Sequence, residues 1–198
     1  GSFTGVYVRG PFGGYDGGAI VDTAEYTNTI AANLLAPTGD GVSSATVADG
    51  GSGYIGAPYV SIVDLSGSGR GATAIANMVD DGTGNGTLKV DSIKITNPGV
   101  DYSAGNVAYS FAGGGTTTPA TPGTVTTAAN TSGGFTKKGA GVLLLTGTTT
   151  YTGPTTVSEG ALVVNSSSTG NSAVTVKSGA ALRGTGTVGG AVTVEGGG

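Results

Sequence analysis

Histidine and cysteine are absent from the 198 residues, so imidazole proton shuttles, thiolate nucleophiles and soft metal ligands have no side chain to act through. Carboxylates remain. The one adjacent acidic pair, Asp80-Asp81, opens the run Asp-Asp-Gly-Thr-Gly-Asn-Gly. Paired carboxylates can do acid and base work on polysaccharides, but Asp, Asn and Gly in such a run also favour tight bends. Within it, Asp81-x-Thr83-x-Asn85-Gly86 copies the first half of a calcium loop, where alternate oxygen-bearing side chains converge on a hard cation. The second half fails, because Ser92 stands where a bidentate glutamate is required. Asp81, Thr83 and Asn85 are candidate calcium ligands, against a plain hairpin turn. Gly67-Ser-Gly69-Arg-Gly71 lacks the following helix that a phosphate loop needs, and is a turn. Four tyrosines, Tyr54, Tyr59, Tyr102 and Tyr109, recur with an internal repeat. They offer a strip for binding sugar or protein, or else pack over neighbouring strands.

The elements that would position these groups are strands. Glycine supplies 41 residues, charged residues only 10% and aromatics 6%. Mean hydropathy is +0.14 and net charge −4, which is neither polar enough nor charged enough for a disordered chain. Short Val/Ile/Leu/Thr runs punctuated by glycine read as strands and turns, so the fold is all-β. No basic run exceeds Lys137-Lys138, which excludes an electrostatic nucleic-acid site. The apolar stretch Val142–Leu145 is too short to insert in a membrane.

Composition divides the chain into three. Residues 1–114 hold all nine aspartates and every aromatic except Phe135 and Tyr151. Residues 115–132 are Thr/Pro/Ala-rich and read as a linker or extended segment. Residues 133–198 are small, Thr-rich and periodic. There Gly141, Gly160 and Gly179 recur at an even step of 19, followed by Leu143, Leu162 and Leu182. That beat fits one coil of a parallel β-helix, with leucines and valines stacked inward and glycines at the bends. In the first region, Val42 to Tyr54 matches Val90 to Tyr102 at an offset of 48, with about one and a half copies visible. It reads as a small β domain with a repeat of about that length. The run Phe3, Tyr7, Phe12 and Tyr15 reads as a cap, with a strand donated to a neighbour as the alternative.

Residues 135–165 carry Thr136, Lys137, Gly139, Gly141, Leu143, Leu145 and Gly147, then Tyr151, Gly153 and Thr155, then Val157, Gly160 and Leu162. This order resembles the autotransporter-associated β-strand repeat, also called the passenger-associated transport repeat. Pro154 departs from it slightly, standing where a small residue is usual. The resemblance implies a right-handed parallel β-helix in the exported passenger of a Gram-negative surface protein, with the repeat serving export and folding rather than chemistry.

The function expected is therefore a structural or adhesive segment of an extracellular, cell-surface protein, not an enzyme, and without a cofactor unless calcium binds. Its partners would be further parts of a larger chain, neighbouring copies stacked into a filament, or surface glycans. A β-helix polysaccharide-active enzyme or carbohydrate-binding module is the competing reading. It would need carboxylates clustered on one face, and the last third offers only Glu159 and Glu195.

Overall fold

The computed structural model describes residues 5–166 and 170–197, so Phe3 lies outside it. Among the described residues there are seventeen strands and no helix. Four short ones come first: β1 (Gly5–Tyr7), β2 (Ala19–Asp22), β3 (Thr27–Ile30) and β4 (Asn33–Leu35). Six mostly longer ones follow: β5 (Asp40–Asp49), β6 (Tyr59–Asp64), β7 (Arg70–Asp80), β8 (Leu88–Val100), β9 (Val107–Ala112) and β10 (Thr121–Ala129). Seven short ones close the series: β11 (Phe135–Lys138), β12 (Val142–Leu145), β13 (Thr155–Val157), β14 (Ala161–Val164), β15 (Val174–Val176), β16 (Ala181–Arg183) and β17 (Val192–Val194).

The chain forms two units, one made of residues up to Pro37 and from Thr131 onward, the other of Thr38–Asn130. Parallel ladders build the first. One is ordered β2-β11-β13-β15-β17, the other β3-β12-β14-β16. A third run begins where β1 pairs with β4 and Leu34 bridges to Thr149, also in parallel. Stacking is in register: Leu143, Leu162 and Leu182 share one position, and Val157, Val176 and Val194 another. The β-branched and leucine side chains at inward positions bury in a common core with Phe135 and Tyr151. Outward positions alternate with them, as the two-residue period of a strand requires, and carry the column Thr136, Thr156, Thr175 and Thr193.

This division differs from the compositional one. Phe135 pairs with Ala19, 116 positions earlier. The second unit accounts for 93 of those positions, which leaves 23, close to the step of 19 from Val142 to Ala161. Residues 19–35 are thus the first step of the same ladder, and Thr38–Asn130 is inserted between the first and second steps. The insertion holds seven of the nine aspartates, while the ten aromatics of residues 1–114 divide evenly between it and the ladder segment before it, so composition did not separate the two.

The inserted unit is a duplication. Strands β8-β7-β6-β9 form one antiparallel sheet, and β5 pairs with β10 in another. Adding 48 to β5, β6 and β7 gives β8, β9 and, within two or three residues, β10. The hydrogen bonds follow the same exchange. Tyr54 N–H donates to Leu88 and Tyr102 N–H to Asp40, so each tyrosine takes its partner from the other copy. The Tyr54 hydroxyl accepts the Ala120 N–H and the Tyr102 hydroxyl the Ala72 N–H, which repeats the offset. Two copies related by a local two-fold exchange stand where one and a half were visible. The missing half is β10, which lies inside the Thr/Pro/Ala-rich stretch and is an edge strand paired to β5.

Candidate functional site

The motif residues of the C-terminal region converge on one step of the ladder. Lys137 occupies an inward position, in register with Val21 on one side and Val157 on the other, and its side chain is fully buried. A buried ammonium is costly unless each of its three donors finds an acceptor. All three do: Nζ donates to the carbonyls of Gly139, Gly141 (2.7 Å) and Glu159 (3.1 Å). The first two belong to the bend after β11, the third to the next bend along the ladder. One side chain therefore ties two successive bends together. Burial lowers the affinity of this amine for its proton, and the charges of Asp22 and Glu159 oppose that.

The glycines around it are dictated by close backbone approach. Gly139 has φ +82°, and a Cβ there would lie 2.5 Å from the Ala24 nitrogen. At Gly141 a Cβ would meet the Tyr26 carbonyl at 2.1 Å, and at Gly160 the Gly141 carbonyl at 2.3 Å. Gly179 differs, having φ +77° with open space beside it. Its glycine serves the turn conformation alone.

Further along, the Tyr151 ring is buried 6.0 Å from Phe135, and its hydroxyl bonds Thr155 Oγ1 at 2.7 Å. Thr155 bonds Ser172, whose hydroxyl donates to the Gly153 carbonyl. Burial raises the Tyr151 phenol above its ordinary range, against the pull of its Thr155 and Ser172 bonds. A satisfied polar chain inside an apolar core holds one register, since any slip would strand its hydroxyls. Lys137 and this chain are buried with their polar atoms bonded within the fold.

The residues singled out in the inserted unit behave differently. Three of the four tyrosines are no surface strip: Tyr54, Tyr102 and Tyr109 are 1%, 5% and 5% exposed. Their rings fill niches floored by glycine, Gly114 against Tyr54 and Gly69 and Gly99 against Tyr102. Each hydroxyl accepts a backbone N–H, that of Tyr109 from Gly123 while it donates to the Thr46 carbonyl. Tyr59 alone is exposed, at 70%. Asp81 and Thr83 do come together, but with Thr87 and Gly53 rather than Asn85. The carboxylate accepts the Thr83 hydroxyl and N–H, the Gly53 N–H and the Thr87 hydroxyl. These bonds, the Thr83 hydroxyl foremost, hold it well below the usual carboxylate range. Asp80 accepts the Gly82 N–H in a turn of its own. Among the described residues no group of three or more acidic side chains is placed to hold a metal.

The family model described as Passenger-associated-transport-repeat matches residues 135–164. That segment is similar to a passenger-associated transport repeat. The matched segment spans the Lys137 latch, the glycine bends, Tyr151 and the Leu143–Leu162 pair, residues that are buried or form bends in this structure. The repeat implies export to the cell surface and is a transport element rather than a known catalytic one. No curated protein and no solved structure shows significant similarity to the chain. No helix among the described residues is long and apolar enough to cross a membrane.

Proposed function

We propose that this chain is a structural and adhesive segment of an exported bacterial surface passenger, in which the parallel ladders wind as a right-handed β-helix of about 19-residue coils. The observation that carries the reading is the Lys137 latch: the transport repeat buries one of its three charged residues to join consecutive bends, which is what a stacking coil needs and what a catalytic site does not. The inserted duplication then serves as the module that the helix carries. At the far end of the first ladder, Val192 and Val194 continue an inward column yet are 46% and 56% exposed. In the proposed helix a further coil covers them, from the same parent chain or from a second copy stacking into a filament.

The experiment is surface detection in the parent organism. Antibodies against this chain should label intact cells, and external protease should remove the label. Labelling that appears only after lysis sinks the export reading. Negative-stain microscopy of the purified protein separates the partners: uniform fibres support self-stacking, and discrete particles leave the column to the parent chain.

A further inference from the structure

The outer face of the sheet β8-β7-β6-β9 departs from what its position demands. Its inner face is the core of the unit, with Val60, Ala76, Val90, Ile95 and Tyr109 buried. An antiparallel sheet with one face packed should be polar on the other. The β5-β10 pair obeys this, presenting the bonded hydroxyls of Ser44 and Thr126 and of Thr46 and Thr124. The larger sheet instead presents a transverse row of one exposed residue from each strand: Ala112, Tyr59, Ile75 and Lys94 are successive partners across β9, β6, β7 and β8. Tyr59 and Ile75 are 70% and 50% exposed, and Val63 beside them 48%.

The duplication shows that the scaffold does not require this row. The row draws on both copies, Tyr59 and Ile75 from the first and Lys94 from the second, and the positions 48 away are Val107, Gly123 and Thr46. Both copies make corresponding strands, and Tyr54 and Tyr102 make the same backbone bonds, so the shared fold does not call for an aromatic at position 59 or an aliphatic at position 75.

Resting on the adhesive reading above, we propose that this row binds an acidic polysaccharide. Tyr59 and Ile75 give a flat apolar platform for the C–H face of a sugar ring, the role to which an amphipathic aromatic suits itself. Lys94 lies two strands from Tyr59, roughly 10 Å at the ordinary strand spacing, so a carboxylate one or two rings along would reach it. The polar flanks, Asn77 bonded to Ser92 on one side and Thr73 to Thr96 on the other, supply donors and acceptors for hydroxyls. Charge selects the partner. Residues 38–130 contain seven aspartates and three cations, and the two lysines, Lys89 and Lys94, are both exposed on β8, partnering the exposed Val79 and Ile75. Against that net negative charge, an acidic polymer finds local attraction on the strip where the lysines lie.

The test uses the full chain with polygalacturonate and its methyl ester, which share a backbone and differ in charge, measured by calorimetry and co-sedimentation. Polygalacturonate should bind, the ester about tenfold more weakly, with binding falling as salt rises. Tyr59→Ala should weaken binding to both polymers about tenfold. Lys94→Gln should weaken the acidic polymer only and erase the preference. Tyr26→Ala, an exposed tyrosine of the other unit at 75%, is the control and should change nothing. Equal binding of both polymers, no binding of either, or equal losses in the Tyr26 and Tyr59 variants overturns the proposal. So does a concentration-dependent dimer that Tyr59→Ala dissolves, because a second copy would then cover the face. None of these outcomes bears on surface labelling of cells, which tests the export reading separately.

Discussion

In the parallel unit, Leu143, Leu162 and Leu182 sit on the same register position of successive strands. In the inserted unit, Tyr54 and Tyr102 also repeat, yet they never meet; each bonds the other copy's backbone. Both units solve the same problem, that a small β repeat cannot bury its apolar face alone. Translation stacks like on like and extends without a set limit. Two-fold exchange closes on itself after two copies. A ladder is therefore suited to length, and an exchanged pair to a bounded module with a surface of its own.

The sharpest way to break this comparison is a cavity in each core. Leu143 is fully buried, and Leu143→Ala should cost roughly 3 kcal/mol, within the range for buried leucines. Hydrogen exchange followed by mass spectrometry should show lost protection across residues 135–164 while residues 38–130 keep theirs. Loss spread evenly over both units would mean that they unfold as one body and that the division is geometric only.

Next in size is the latch. Lys137→Met keeps an apolar stem in the column but leaves the Gly139, Gly141 and Glu159 carbonyls without their donor. Unsatisfied buried acceptors put the cost at about 2–3 kcal/mol. The loosening should centre on the two bends, and chemical denaturation should report it. A variant as stable as the parent would mean that water replaces the ammonium freely and that the latch is ornamental.

The two units were not equally legible in the sequence. Like-on-like stacking writes its period directly into the chain, so Gly141, Gly160 and their leucines could be found by counting. The first step of the ladder was hidden because the whole inserted unit, Thr38–Asn130, separates Ala19 from its partner Phe135. Lys137 was visible as a motif residue and as a charge. Its burial was readable only from alternation, since it lies two residues from the inward Phe135 and just before a Gly-x-Gly bend. The tyrosines misled for a physical reason. A tyrosine recurring beside a turn can stack on a ligand or donate and accept within the fold, and only the glycine niches opposite, as far away in sequence as Gly114 from Tyr54, decide between them. The two-fold exchange left an offset of 48 in the sequence but no sign of who pairs with whom, and β10 had drifted so far in composition that it resembled a linker.

Exchange symmetry makes a smaller, more exacting prediction. Tyr54→Phe and Tyr102→Phe each remove a hydroxyl that accepts one backbone N–H, and each should cost about 1 kcal/mol. The two values should agree within error and leave the parallel unit untouched. A large difference between them would show that the copies have diverged in load as well as in surface.

The smallest effect expected separates the units by acid. In the inserted unit, Asp81 is held ionised by its Thr83, Gly53 and Thr87 bonds. Asp64 is held the same way: burial works against its charge, but bonds from Ser66, Ser103 and Gly69 outweigh it. Both carboxyls have folded values below their unfolded ones, so their contribution is complete above about pH 4 and is lost as pH falls through the unfolded value toward the depressed folded one. Both belong to turns near the surface, where solvent screens them, so the loss should be local. In an NMR titration the Gly53 amide, which reports Asp81, should shift with a midpoint well under the ordinary carboxylate range, and the Gly69 and Ser103 amides, which report Asp64, with a midpoint below it. The Lys137 bends of the parallel unit are bonded through backbone carbonyls, with no carboxylate in the bonds, and those bonds should persist over the same interval. Asp81→Asn should abolish the shift at Gly53 and spare those at Gly69 and Ser103. If all three amides instead titrate near the ordinary carboxylate value, the two turns do not stabilise their carboxylates, and acid offers no way to tell the units apart.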